Sequence, residues 1–174
     1  MRYLKRWTVA IALFLALILD GSISHFVPLL QDWGVNCWLT LIGLTLVGLE
    51  DEHNHQLIWL GLVLGLIADA YYLGIFGIYT FIFPMAVFGA QQLSRFLPVS
   101  FWFRWGTCII IYAVATLYHF LAFYLVGLTQ VSFRIWQSSL MPNLIWAALL
   151  SAISYPLWLY LATKFPFLVR EETY

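Results

Sequence analysis

The chain has 174 residues and a formal net charge of zero, and 63% of its residues are hydrophobic while only 9% are charged. Because a soluble domain carries about 25% charged residues, this composition rules out a water-covered surface and indicates an integral membrane protein whose outer surface meets lipid. The zero net charge gives no sign of nucleic-acid binding, and no polar stretch is long enough to fold alone, so we expect residues 1–174 to form a single membrane domain.

Six apolar segments follow one another along the chain, and a transmembrane helix needs about 20 mostly apolar residues. The segments cover residues 7–26, 35–49, 56–72, 77–93, 106–128 and 139–163. The first stops before Pro28, and its basic start followed by an apolar run is interpreted as an uncleaved span. The sequence therefore predicts an all-α, polytopic membrane bundle of six transmembrane helices with no evident internal repeat. Because the third and fourth segments are short, five spans remain the alternative.

The basic residues predict the orientation of this bundle. Placing the N-terminus in the cytoplasm puts seven of the eight Lys and Arg residues on the inner side and one on the outer side. The inner residues are Arg2, Lys5, Arg6, Arg95, Arg104, Lys164 and Arg170, and the outer residue is Arg134. Since cytoplasmic loops carry an excess of Lys and Arg, we expect both termini to be cytoplasmic.

Polar residues inside the predicted spans are the main candidates for function. A charge at the middle of a bilayer costs at least about 2.5–3.5 kcal/mol and persists when it faces protein or water. Asp20, Asp69 and His119 each lie 13 residues after the start of an outward-running span, which places them at about the same depth at roughly 1.5 Å per residue. Asn143, early in the sixth span, reaches the same layer. We hypothesise one buried polar cluster; the alternative is that each group is hydrated near the outer headgroups.

Glycines accompany Asp69 in the stretch GLVLGLIADAYYLGIFGIYTF, residues 61–81. Gly61, Gly65 and Asp69 are spaced by four residues and share one helical face, so another helix can approach that face closely and bury the carboxylate. Gly74 and Gly77 lie where the chain must reverse direction, and glycine accepts the backbone angles of turns. This face is interpreted as a packing or partner-contact site.

Motifs for catalysis are not evident. His53 and His55 lie beside three carboxylates in EDEHNHQ, residues 50–56, but the pattern matches no defined metal-ligand spacing and favours a solvated cytoplasmic turn. Two intramembrane aspartates suggest an aspartic protease, yet the flanking LILDGS and LIADAY do not resemble the motifs of those enzymes. We therefore expect no enzymatic activity, no metal and no cofactor.

The stretch of residues 61–81 resembles the MreD family of bacterial rod shape-determining membrane proteins, whose pattern is a glycine-rich helix, an Asp near its end and a short Gly-containing turn. FLALILDGSIS, residues 14–24, is similar to Gram-positive members of that family. The second half of the chain matches the family in hydropathy and size only.

The resemblance implies a non-enzymatic, multi-pass protein of the bacterial plasma membrane. Such a protein is a scaffold or regulator of the machinery that inserts peptidoglycan during cell elongation. Its implied partners are an MreC-like protein, a RodA-type glycan polymerase and a class B penicillin-binding protein, reached directly or through MreC, together with membrane lipid.

A second function comes from a different class. MreD proteins resemble the substrate-binding S-components of energy-coupling-factor vitamin transporters, which are also small six-span proteins. In that case Asp20, Asp69, His119 and Asn143, with nearby Trp and Tyr residues, line a ligand pocket that opens outward. Co-purification with an MreC-like partner or with transporter subunits distinguishes the two functions.

Overall fold

The computed structural model of the chain describes residues 2–26, 36–96, 98, 100–127, 133–165 and 167. Within these residues the secondary structure is helical. The helices are α1 (Arg2–Phe26), α2 (Leu39–Glu50), α3 (Gln56–Ala68), α4 (Tyr79–Ser94), α5 (Phe101–Val126) and α6 (Phe133–Lys164), and α3 continues into a π-helical turn, Asp69–Leu73. The predicted all-α class is confirmed, and each predicted span overlaps one of the six helices.

Some residues that mark the predicted spans or their orientation fall in the undescribed parts of the chain. Pro28, Val35, Leu128 and Arg170 lie outside the described residues. The sixth helix begins at Phe133, earlier than predicted, so Pro142 lies inside the helix.

Three helical segments are long and apolar enough to cross a membrane: Gln56–Leu73, Phe101–Leu125 and Gln137–Lys164. Two further apolar helical segments, Trp7–Ile23 and Leu39–Glu50, are shorter. The chain is thus a helical membrane protein, while six spans and two cytoplasmic ends stay predictions.

Helix α2 forms the centre of the bundle. Ten consecutive residues, from Thr40 to Leu49, are buried, and α2 packs against each of the other five helices. A helix that is apolar on every side is stable only when it is surrounded, and α2 has this character. Gly43 lets the Trp158 ring of α6 approach closely, since a Cβ at this position would lie 2.7 Å from a carbon of the indole ring.

The turn between α2 and α3 is fixed by α4. The amide of Gln91, which is buried, donates to the backbone oxygens of Asp51 and Asn54 at 3.1 and 2.9 Å. His53 is exposed and its Nδ1 lies 3.3 Å from a Glu52 carboxylate oxygen. Across the described part of the chain, no three His, Cys, Asp or Glu side chains come together as a metal site.

Candidate functional site

Asp20 caps the N-terminus of the central helix from a different helix. Its carboxylate is 6% exposed near the end of α1, and it accepts hydrogen bonds from the backbone N–H groups of Leu39 at 2.7 Å and Thr40 at 2.9 Å. These are the first two residues of α2, and Trp38 before them makes no side-chain cap. The first N–H groups of a helix lack partners within the helix and carry a partial positive charge. Asp20 thus provides acceptors for the first two N–H groups of α2, and its carboxylate is stabilised by the positive end of that helix.

Asp69 does the same for α4. This carboxylate is fully buried and accepts from the backbone N–H groups of Gly77, Tyr79 and Thr80 at 2.8, 2.7 and 3.0 Å. The hydroxyl of Thr80 donates a fourth hydrogen bond at 2.7 Å. An ionised carboxylate has about four acceptor positions, so four donors use the whole capacity of Asp69.

The two aspartates reveal a shared arrangement that the sequence analysis missed. Each follows the residues Leu-Ile-x, as Leu17–Ile18–Leu19 and Leu66–Ile67–Ala68, and each caps the next helix in the chain. The distances along the chain differ, because Asp20 reaches Leu39 across 19 residues and Asp69 reaches Tyr79 across 10. A repeat of fixed length is therefore absent, although the hydrogen bonding is the same.

The glycine face of α3 is filled by α4 of the same chain. A Cβ on Gly65 would lie 2.7 Å from the Cα of Thr80, and its nearest neighbour would be the carbonyl oxygen of Tyr79. A Cβ on Gly61 would lie 3.2 Å from backbone atoms of Phe83. These glycines let the two helix backbones approach, and the approach brings the N-terminus of α4 to the Asp69 carboxylate.

Gly74 and Gly77 form the connection between the π-helical turn and α4. Their φ angles are +65° and +115°, a region that residues with a Cβ adopt at a cost. The N–H of Gly74 closes the π-helical turn on the carbonyl oxygen of Asp69 at 2.8 Å, and the N–H of Gly77 reaches the Asp69 carboxylate. Both glycines therefore donate to Asp69, one to its carbonyl oxygen and one to its carboxylate.

His119 of α5 packs among aromatic rings. Its ring centroid lies 5.3 Å from that of Trp38, 5.8 Å from that of Tyr79 and 4.5 Å from that of Phe123. Trp38 also contacts Tyr79 at 6.1 Å and Tyr112 at 5.3 Å. The rings connect the N-termini of α2 and α4 to α5.

Asn143 of α6 holds the chain segment that leads into α2. Its Oδ1 accepts from the backbone N–H of Asn36 at 2.9 Å, and its Nδ2 donates to the carbonyl oxygen of Ser139 at 2.8 Å. The hydroxyl of Tyr112 donates to the carbonyl oxygen of Asn36. Asn143 and Asp20 thus fix the start of α2 from two sides.

The residues of the hypothesised polar cluster are therefore organised around two helix N-termini. Asp20 and Asn143 bind backbone groups of residues 36–40, His119 contacts Trp38, and Asp69 binds the start of α4. Each carboxylate binds the N-terminus of a different helix, an arrangement unlike the proton-sharing pair of an aspartic protease.

A model of the protein family described as rod shape-determining protein MreD matches residues 1–165. The chain belongs to the MreD family. The match confirms the family suggested by residues 14–24 and 61–81. It also extends over the second half of the chain, where the resemblance had been one of hydropathy and size only. Membership of MreD gives the chain a role in determining rod shape. Searches of curated proteins and of solved structures found no significant match.

Proposed function

We propose that this MreD family member is a non-enzymatic scaffold or regulator of the peptidoglycan synthesis machinery in cell elongation, and that it works with an MreC-like protein in the bacterial plasma membrane. The observation that carries the proposal is the family match over residues 1–165. A RodA-type glycan polymerase and a class B penicillin-binding protein join the complex directly or through the MreC-like protein.

The hydrogen bonding of the intramembrane aspartates supports a structural role. A catalytic carboxylate needs a face open to substrate, whereas the acceptor positions of Asp69 are taken up by the start of α4. Asp20 holds the start of α2 through two backbone hydrogen bonds. Both groups stabilise the relative positions of helices, which is what a scaffold requires of its membrane domain.

The proposal includes six spans with both ends in the cytoplasm. Three single-cysteine variants test this orientation in a protein that lacks Cys37 and Cys108. Glu52→Cys and Phe96→Cys lie in two predicted inner connections, and Phe76→Cys lies in a predicted outer connection. A membrane-impermeant thiol reagent applied to whole cells is expected to label the cysteine at Phe76, and to label the other two only after permeabilisation. Labelling of either inner position in intact cells contradicts the orientation.

Co-purification from the native host tests the partners. The tagged protein, solubilised gently from membranes, is expected to bring down an MreC-like protein together with RodA or a penicillin-binding protein. Recovery of an ATPase and a transmembrane coupling subunit instead contradicts the scaffold. A vitamin-transporter S-component finds no support in the family match.

A matched pair of glycine variants tests whether partner binding depends on the packing of α3 against α4. Gly65→Leu places a side chain against the α4 backbone, whereas a Cβ on Gly89 would meet nothing within 4 Å. We expect Gly89→Leu to keep the partners and to restore rod shape in cells depleted of the native protein. Gly65→Leu is expected to fail in both assays, and full complementation by Gly65→Leu argues against a role for the α3–α4 packing.

A further inference from the structure

A partly open cavity of about 260 Å³ adjoins Asp20. Among the described residues, four aromatic side chains line it together with the carboxylate: Trp38, Tyr72, Tyr79 and Phe83. Pockets for drug-sized ligands are about 300–1,000 Å³, so the volume suits a small molecule or a headgroup. The role of Asp20 as a helix cap accounts for its burial, but it does not account for the cavity beside it.

The two aspartates differ in how much of their acceptor capacity is used. Among the described residues, Asp69 accepts four hydrogen bonds, whereas Asp20 accepts two from backbone N–H groups, those of Leu39 and Thr40. An ionised carboxylate has about four acceptor positions. Asp20, and not Asp69, lines the cavity, so the carboxylate with remaining capacity is the one beside the open space.

When Asp20 is ionised, its surroundings balance its negative charge only in part. The N-terminus of α2 supplies roughly half of a positive charge. The ion pairs formed among the described residues, Arg104–Glu50 and His53–Glu52, do not involve Asp20. A positive group in the cavity would supply the remaining charge.

The aromatic rings have the geometry of a site for such a group. The ring planes of Trp38 and Tyr79 cross at 88°, and those of Tyr72 and Tyr79 cross at 73°, with centroids 6.1 and 6.4 Å apart. In such an edge-to-face pair the edge of one ring covers a face of the other, so a ligand in the cavity contacts the ring surfaces that the pairs leave uncovered. Aromatic faces attract cations, and several of them together bind ammonium groups.

We infer that this cavity binds an ammonium group, belonging to a free amine or to the headgroup of a lipid. Asp20 supplies the negative charge, and the rings of Trp38, Tyr72 and Tyr79 lie around the ammonium group. This inference concerns the isolated protein and does not depend on the proposed partners.

The two cysteines provide a readout at the site. Cys37 lines the cavity and is 4% exposed, and Cys108 is similarly buried, at 3%, away from it. In purified protein, choline or ethanolamine is expected to slow alkylation of Cys37 by a small thiol reagent and to leave Cys108 unaffected. The neutral isostere of choline, with carbon in place of the quaternary nitrogen, is expected to protect Cys37 at least about tenfold less well.

Neighbouring tyrosines give a matched pair of variants. Tyr72→Leu removes one ring of the cavity and is expected to abolish protection, while Tyr71→Leu changes a side chain that is 79% exposed and is expected to retain it. Asp20→Asn is expected to lose protection by amines, and circular dichroism checks that this variant folds. If Asp20→Asn does not fold, the comparison of Tyr72→Leu with Tyr71→Leu tests whether amines protect Cys37 through this cavity.

Nanodiscs distinguish the two sources of the ammonium group. Protection of Cys37 in phosphatidylethanolamine, without added amine and relative to phosphatidylglycerol, identifies a lipid headgroup. Protection only by added choline or ethanolamine identifies a free amine. Equal protection by the neutral isostere, or no protection by any amine or lipid, overturns the inference.

Discussion

Gly65→Ala tests the contact that brings Asp69 to α4. The added Cβ would lie 2.7 Å from the Cα of Thr80 and closer still to the carbonyl oxygen of Tyr79, whereas ordinary contact begins at 3.4 Å, so α4 must retreat by at least about 0.7 Å. The hydrogen bonds from Tyr79 and Thr80 to Asp69, now 2.7 and 3.0 Å long, would lengthen towards or beyond the usual limit of about 3.2 Å. Overpacking costs about 1–3 kcal/mol, and a weakened bond to a charged group adds about 1 kcal/mol or more. We expect a total loss of about 3 kcal/mol in the free energy of unfolding.

Two other glycines make this a graded series. At Gly61 the corresponding backbone contact is 3.2 Å, so Gly61→Ala requires a shift of only a few tenths of an ångström and is expected to cost about 1 kcal/mol. Gly89→Ala meets nothing within 4 Å and is expected to be neutral or to stabilise by up to about 1 kcal/mol.

The buried thiols report unfolding in detergent. A bulky fluorogenic thiol dye, larger than the small reagent that enters the cavity, reacts with Cys37 and Cys108 when the bundle opens, because both are free and buried. The temperature midpoints are expected to decrease in the order Gly89→Ala, Gly61→Ala, Gly65→Ala. Equal midpoints for the Gly65 and Gly89 variants would refute the close approach of α3 and α4.

Three further substitutions address other contacts. Asp69→Asn puts an amide N–H group among donors and is expected to cost about 3 kcal/mol in the same thermal assay. Glu52→Gln, at a half-buried carboxylate of the turn between α2 and α3, is expected to change little, and equal losses would contradict the capping role. Glu50 and Arg104 form an ion pair whose side chains are 24% and 12% exposed. A double-mutant cycle on the two residues is expected to give a coupling free energy of about 1 kcal/mol or more. A coupling of zero argues against the ion pair. Gly77→Ala, at φ +115° with open space around a Cβ, is expected to lose about 1–3 kcal/mol through backbone strain alone; an unchanged midpoint would show that the turn adopts another conformation.

The positions of the helices follow closely from the sequence. Apolar runs predict six helices, and α3 begins at Gln56 as expected. The start of α6 was predicted less well, because Phe133–Ser138 contains Arg134 and Gln137, whose polar side chains interrupt the apolar pattern while the helix continues through them. Hydropathy follows the lipid-facing part of a helix and does not mark where its backbone hydrogen bonds begin.

The partners of the polar residues did not follow from the sequence. The depth of Asp20 and Asp69 was estimated from the helical rise, but their donors are backbone N–H groups, which every residue type except proline provides. Nothing in the identities of Leu39 or Tyr79 therefore marks them as donors to a carboxylate. Trp38, Tyr79 and Tyr112 were missed because aromatic residues are frequent throughout the chain, at 19%.

The sequence by itself determined that this is a helical membrane protein of the MreD type, with two carboxylates inside apolar segments and a glycine face beside one of them. Those properties depend on composition and local spacing, which act within a few turns of helix. Only the tertiary structure decided that α2 is the buried centre, that the glycine face receives α4, and that Asn36 meets Asn143 across 107 residues of chain. Buried polar groups take whichever donors the packed helices bring to them, and that choice is made only when the bundle assembles.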